Sequence, residues 1–199
     1  MASQIQIIEK PDWVSWEDIK QCLYDAHSVN RSVGVNMVKY QWPIEKIKQS
    51  IGENGVILVA LDGQRVIGTS AVGEKFGTVW YKRGRYAYMS LSCVLPEYSG
   101  QGIFKRFEKN REEIARLKGL DVFVTDTHES NKRRRQIAEV NGYRLVDYFR
   151  VGDHYNVALA KWPKGCPYSK IYCQFRYYLS WTYAHIRTFL SKGYHTIHK

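Results

Sequence analysis

The feature that most constrains the fold is a series of short apolar runs that alternate with turns and helix-like segments after Val56. The series opens with VILVALDGQRVIGTSAVG, in which Asp62-Gly63 joins two strand-like runs, a strong hairpin signal. A basic, aromatic stretch, KFGTVWYKRGRYAY, then leads into the next strand. Apolar residues recur near helical spacing from Phe104 to Gly119. The other strand-like runs are YMSLSCVL, DVFVTD, YRLVDYFR and YNVALAKW.

Further elements are expected before this series. Ile5 to Glu9 is consistent with a short strand, and Ser15 with Asp18 resembles a capping box that starts a helix to about His27. Isoleucines recur on one face after Pro43, which predicts a second helix. We therefore predict a mixed α/β fold: a central mixed sheet of about six to seven strands flanked by helices, with a C-terminal helical extension.

The turn SGQGIF stands between the strand that ends at Leu95 and the helix that follows. A helix amino terminus presents backbone N–H groups and a positive dipole end, so it binds phosphate oxygens. Glycine at positions 100 and 102 lets a ligand approach that backbone closely. Lys105 and Arg106 add positive charge. The turn is therefore a candidate pyrophosphate site, although two glycines alone are a weak signal.

The positive charge is concentrated at one end of the chain. The formal net charge is +11, and residues 161–199 hold seven of the 30 basic residues and none of the 19 acidic ones. A basic balance favours an anionic partner. We therefore separate a domain at residues 1–160 from a basic, aromatic-rich extension at residues 161–199.

The four cysteines, Cys22, Cys93, Cys166 and Cys173, show no spacing typical of a zinc module, so free thiols and no metal site are expected. The first residues, MASQIQIIEK, lack a signal-peptide pattern, and no apolar run is long enough to span a bilayer. We expect a cytoplasmic protein.

From Ile5 to Ala160, and best from Val56 to Tyr148, the chain resembles the GNAT superfamily of acyl-CoA-dependent N-acyltransferases. The likeness rests on SCVLPEY, on SGQGIF and its helix, on DVFVTD, and on the segment from Asn131 to the NGYR turn. The family's loop has Gln or Arg, two residues, Gly, one residue, then Gly or Ala. Here these positions hold Ser99, Gly102 and Phe104, so only the central glycine is kept.

The resemblance implies acetyl-CoA, or another acyl-CoA, as cosubstrate and an amine acceptor that attacks the thioester directly. Backbone at a splay in the central strand would hold the pantetheine arm and the thioester carbonyl, and the turn would bind the pyrophosphate. The cofactor-binding positions implied in this way are Cys93, Val94, Gly100, Gln101, Gly102, Ile103, Phe104, Lys105 and Asn131.

The usual acid and base of the family have no counterpart. The tyrosine that protonates the thiolate in many members falls at Ala138, and the glutamate that some members use as a base falls at Tyr88. Positioning supplies a large part of such catalysis, so activity is still expected. The candidate proton carriers are Tyr88, Ser92, Cys93 and His128, each of which also fits an ordinary core or loop role.

Four consecutive cations, Lys132 to Arg135, follow Ser130 and Asn131, either of which is a candidate helix cap. Cations are unfavourable in a first helical turn. A coenzyme A 3′-phosphate and plain solvation explain the run about equally well, and a nucleic-acid patch explains it less well, so nucleic acid is an unlikely partner.

The extension places apolar residues such as Ile171, Phe175 and Ile186 at helix-like intervals among cations. Packing on its own domain or homodimerisation is favoured over peripheral membrane contact. A third reading is that the extension lines the acceptor pocket.

In the family the acceptor usually lies between the early helices and the strands that splay apart, so the resemblance implies an acceptor near residues 33–42 and 76–88. Aromatic and basic side chains there favour a polar small-molecule amine, with protein amino groups as an alternative. Two rival functions are a non-catalytic acyl-CoA sensor and a basic membrane-surface or nucleic-acid module.

Overall fold

The computed structural model describes residues 5–32, 41–79, 82–151, 154–162 and 164–197 of the chain. Within these ranges the strands form a seven-stranded sheet in the order β1-β2-β3-β4-β5-β7-β6, which confirms the predicted mixed α/β fold. The elements are β1 (Gln6–Glu9), α1 (Trp16–Ala26), α2 (Ser28–Ser32), α3 (Ile44–Ile51), β2 (Val56–Asp62), β3 (Arg65–Val79), β4 (Lys82–Val94), α4 (Ile103–Leu117), β5 (Phe123–His128), α5 (Lys132–Val140), β6 (Arg144–Val151), β7 (His154–Lys161) and α6 (Lys170–Ile197).

The chain divides into two compact units, Met1–Phe123 and Val124–Lys199. In the first unit, strands β1 to β4 pair with their sequence neighbours in antiparallel fashion. Helices α1, α3 and α4 contact this sheet. Apolar residues of these helices and strands form the core of the first unit. The core includes the fully buried Ile19, Ile47, Ile67 and Phe107.

Local signals in the sequence predicted several element ends correctly. Ser15 Oγ accepts from the backbone N–H of Asp18 at 3.0 Å, and Asp18 Oδ2 accepts from the Ser15 N–H at 3.0 Å, so α1 starts in a capping box. Gly63 has a φ of 59° in the turn between β2 and β3, which only glycine adopts easily.

The stretch KFGTVWYKRGRYAY differs from the prediction, because β3 and β4 extend into it as a long hairpin. Cross-strand pairs explain this extension. Arg85 Nη2 donates to Glu74 Oε2 at 2.8 Å, and the Arg83 guanidinium lies 5.2 Å from the centre of the Phe76 ring. Such opposite-charge and cation–π pairs stabilise a half-exposed hairpin.

The second unit pairs β6 with β7 in antiparallel fashion, and α6 packs against β6. Cys173 of α6 is buried. The Tyr148 ring on β6 lies edge-on to Tyr177 of α6 at 6.0 Å, and His185 of α6 stacks on it at 5.6 Å. The C-terminal extension is therefore helical, as predicted. Among the described residues, no helix is long and apolar enough to cross a membrane.

Candidate acyl-CoA site

A β-bulge interrupts β4 at Leu91 and Ser92, which stand opposite the single β3 residue Ser70. Leu91 has a φ of 51°, a left-handed backbone that no other described non-glycine residue adopts. A bulge leaves an extra residue outside the strand ladder, and backbone strain of this kind clusters at functional sites. The resemblance implied a splay at Cys93 and Val94, and the irregularity lies immediately before them.

Thr69 holds this bulge on the α1 side of the sheet. Its Oγ1 donates to the carbonyl of Leu91 at 2.7 Å and lies 3.3 Å from Cys93 Sγ. The Cys93 thiol in turn lies 3.9 Å from the carbonyl of Cys22 on α1. Hydrogen bonding to Cys93, together with burial, raises the pKa of the Cys22 thiol. The Cys93 side chain is thus a core group, and its surroundings favour a backbone role over proton transfer.

A buried charge network holds the same bulge on the α4 side. Ser92 Oγ accepts from Arg111 Nη1 at 2.5 Å and lies 3.0 Å from Ser70 Oγ. Arg111 Nη2 donates to Glu108 Oε1 at 2.5 Å, and the Arg111 and Glu108 side chains are 0% and 6% exposed. This network was not predicted from the sequence. Its signal was present, because Arg111 lies one helical turn after Phe107 on the apolar face of α4.

Tyr88 lies on β4 directly opposite Gly73 of β3. A Cβ at Gly73 would lie 2.1 Å from the carbonyl of Ile51, so this face of the hairpin packs against the end of α3. Ser92 faces α4. The structure therefore brings these two candidate proton carriers into one strand but places them on opposite faces of the sheet.

The turn after β4 carries two glycines with positive φ at the start of α4. Gly100 and Gly102 have φ values of 85° and 73°, and a Cβ at either position would meet no atom within 4 Å. Gly102 caps α4 without any side-chain hydrogen bond. Lys105 is exposed in the first turn of α4, Gln101 is exposed, and Ile103 is buried. The turn thus offers an open approach to a helix amino terminus, where backbone N–H groups bind anions.

His128 ends β5 in the second unit. Its Nδ1 accepts from the Ser130 N–H at 3.1 Å, which favours the neutral tautomer with its proton on Nε2. The His128 ring also stacks on His154 at 5.0 Å. Nearby, the Tyr148 hydroxyl donates a hydrogen bond to Glu129. Burial together with this hydrogen bond raises the pKa of Tyr148.

Asn131 is the amino-terminal cap of α5, because its Oδ1 accepts from the Arg134 N–H at 3.1 Å. In the cation run, Lys132 and Arg133 are exposed, whereas Arg134 and Arg135 are half-buried. Ala138, on the same helix, is fully buried. The cap orders the start of α5.

The two segments predicted to reach the acceptor lie partly outside the described residues, since residues 33–40 and 80–81 are among those not described. In the part that is described, Arg85 pairs with Glu74, and Arg83 lies over Phe76. These two cations therefore have partners within the hairpin. Within the described residues, no group of three or more His, Cys, Asp or Glu side chains is arranged to hold a metal ion.

Comparison with known families identifies the class of protein. The model of the acetyltransferase (GNAT) family matches residues 16–143, which include β4, the SGQGIF turn and α5. The chain belongs to this family. It is therefore an acyl-CoA-dependent N-acyltransferase, a class that uses acetyl-CoA. No curated protein matches the sequence.

Solved structures share the fold at low sequence identity. An acetyltransferase from Streptococcus agalactiae is 16% identical with a TM-score of 0.62, over 79% of this chain and 98% of that one. PaiA N-acetyltransferase from Thermoplasma acidophilum, in complex with coenzyme A, is 17% identical with a TM-score of 0.59, over 80% and 99%. The ribosomal-protein-S18-alanine N-acetyltransferase from Escherichia coli is 13% identical with a TM-score of 0.58, over 79% and 93%.

Proposed function

We propose that this chain transfers the acetyl group of acetyl-CoA to a primary amine of a small molecule. The observation that carries the proposal is the β4 segment with its following turn, in a chain of the GNAT family. There, a strained bulge at Leu91 precedes two glycines with positive φ and a helix start without a side-chain cap.

The residues present fit acetyl-CoA at this segment. Backbone from Gly100 to Phe104 would bind the pyrophosphate, because open space above Gly100 and Gly102 permits close approach. The exposed Lys105 would add charge to this contact. Backbone N–H groups from the bulge through Val94 would orient the thioester carbonyl and stabilise the negative charge that develops on its oxygen. When bound, acetyl-CoA supplies the thioester and a thiolate leaving group.

Transfer requires a neutral amine at the thioester. The amine nitrogen forms a bond to the acetyl carbon while the carbon–sulfur bond breaks, one amine proton leaves to a carrier, and the sulfur departs as a thiolate that is then protonated. Tyr88, Ser92 and His128 are the proposed carriers. Ser92 is supported by its position in the bulge. Tyr88 and His128 stay candidates from the sequence alone.

The test is turnover with a panel of amines. Purified protein is incubated with acetyl-CoA and amino sugars, polyamines, amino acids or peptides with free amino termini, while thiol release is followed and the acetylated product is identified by mass spectrometry. We expect one small-amine class to give product at rates well above the amine-free reaction. Selective acetylation of peptides alone would instead assign the protein-amine alternative.

A second candidate function is acyl-CoA binding without catalysis. It is favoured by one observation, which is that the buried Ala138 stands where many members carry the tyrosine acid. Tight acetyl-CoA binding with no thiol release across the whole panel would support this reading and overturn the enzyme proposal.

The cytoplasmic location stays a prediction from the sequence.

A further inference from the structure

Helix α6 has one covered face and one exposed face. On the covered face, Cys173 is buried. The exposed His185 stacks on Tyr148 at 5.6 Å and on Tyr155 at 5.2 Å. Tyr177 meets Tyr148 edge-on. These contacts attach α6 to β6 and β7 of its own unit. They leave large side chains exposed on the other side of the helix.

The exposed face carries large apolar side chains between Ile171 and Ile186. We define the exposed stripe as six large side chains that are each between 44% and 79% exposed. Apart from the adjacent Tyr178 and Leu179, successive members lie three or four residues apart, the spacing of a single helical face. The members are Ile171, Phe175, Tyr178, Leu179, Tyr183 and Ile186. Packing on its own domain, which the sequence analysis favoured together with dimerisation, does not cover the stripe.

Charge identifies the kind of partner. Residues 161–199 contain seven basic residues and no acidic one. Lys164 precedes α6 and Lys170 begins it, and both are exposed. A cation in the first turn of a helix is unfavourable by itself, and nearby anions offset that cost. The surface that surrounds the stripe at this end of α6 is therefore complementary to negative charge.

This charge pattern disfavours a second copy of the chain as the occupant. Stripe-to-stripe pairing would bring together two segments of the same sign with no acid in either one. Tyrosine also suits a lipid interface, where its ring reaches apolar surface while its hydroxyl stays hydrated.

We propose that the exposed stripe docks the enzyme on an anionic lipid surface. The stripe enters the boundary between headgroups and acyl chains, and the exposed Lys164 and Lys170 contact the anionic headgroups. The helix then lies in the plane of the surface. This inference does not depend on the acceptor.

The test is co-sedimentation of the full chain with lipid vesicles. Phosphatidylcholine vesicles are compared with vesicles of phosphatidylcholine mixed with phosphatidylglycerol, at low and high salt. We expect binding to the anionic vesicles, weak binding to the neutral ones, and release by salt, because exposed charges are screened. Phe175→Glu should weaken binding by at least about tenfold, since it removes apolar burial and adds a repelled charge.

Val140→Glu is the matched control, because Val140 is an 88% exposed apolar residue of α5 outside the stripe. It should bind anionic vesicles like the parent. Three results would overturn the proposal: no vesicle binding by the folded parent, equal loss in both variants, or equal binding to neutral vesicles. Light scattering on the same samples tests the rival occupant, since a dimer that Phe175→Glu dissociates, without vesicle binding, would assign the stripe to a second copy.

Discussion

The guanidinium of Arg111 donates a hydrogen bond to the hydroxyl of Ser92 across 2.5 Å and thereby links the buried face of α4 to the β4 bulge. The same arginine pairs with Glu108, also at 2.5 Å. A fully buried cation loses its hydration, which destabilises the folded state. Only well-placed hydrogen-bonding partners offset that loss, so removing one partner is strongly destabilising.

Removing Arg111 should therefore be severe. Arg111→Met breaks the buried ion pair and the contact to the bulge, and we expect a loss of about 3 kcal/mol or more in the free energy of unfolding, measured with urea. Arg116→Met is the control, because Arg116 pairs with Glu112 at 3.1 Å but is 54% exposed, and it should cost less than about 1 kcal/mol. Equal costs for the two variants would contradict the network.

Gly73 should tolerate no side chain. Gly73→Ala would place its Cβ 2.1 Å from the carbonyl of Ile51, so the end of α3 must move, at a cost of about 3 kcal/mol. Gly84→Ala, in the same hairpin, meets nothing within 4 Å and should cost less than about 1 kcal/mol. Thermal and urea unfolding of both variants check this pair, and a mild effect at Gly73 would show that α3 does not approach β3 as described.

Cys93→Ala should retain turnover. Because the thiol lies in the core against Thr69 and Cys22, its removal should lower the unfolding free energy by about 1 to 2 kcal/mol through lost packing. We expect kcat to change by less than about threefold, because positioning by backbone is unaffected. A loss of two orders of magnitude in kcat with unchanged acetyl-CoA affinity would return Cys93 to the list of proton carriers.

The free energy of unfolding should fall in mild acid, in part because of His27. Burial, and then the nearby Arg31, lowers the pKa of His27 to about 4, while Asn30 lies 3.0 Å from its Nδ1. The folded protein binds this proton less readily than the unfolded chain, so the contribution is present above pH about 6.5 and is lost as pH falls toward 4. His27→Gln should flatten the fall in unfolding free energy from pH 7 to 4, and an unchanged slope would refute this role.

Local chemistry explains what the sequence could predict. The capping box of Ser15 and Asp18, the Asp62-Gly63 turn and the Asn131 cap each depend on residues a few positions apart, so they are legible without a fold. The glycine backbone of the SGQGIF turn could be predicted for the same reason, since positive φ at Gly102 is a local property.

Pairing between distant segments explains what it could not predict. The bulge at Leu91 exists only because β4 is registered against β3 with Ser70 opposite two residues. The long hairpin depends on Glu74 meeting Arg85, eleven residues later. Likewise, nothing near Cys93 in the sequence indicates that Cys22 lies against its thiol.

The most direct test of the central claim is the thermal unfolding midpoint with and without acetyl-CoA for the parent, Gly102→Trp and Gly119→Trp. Both glycines have a positive φ, 73° and 69°, with open space around the Cβ position, and they flank opposite ends of α4. A ligand at a concentration of about a hundred times its Kd adds about 2.7 kcal/mol to the free energy of unfolding. We predict that acetyl-CoA raises the midpoint of the parent and of Gly119→Trp but not of Gly102→Trp. No rise in a well-folded parent, or an equal rise in both variants, would contradict an acyl-CoA site at this turn.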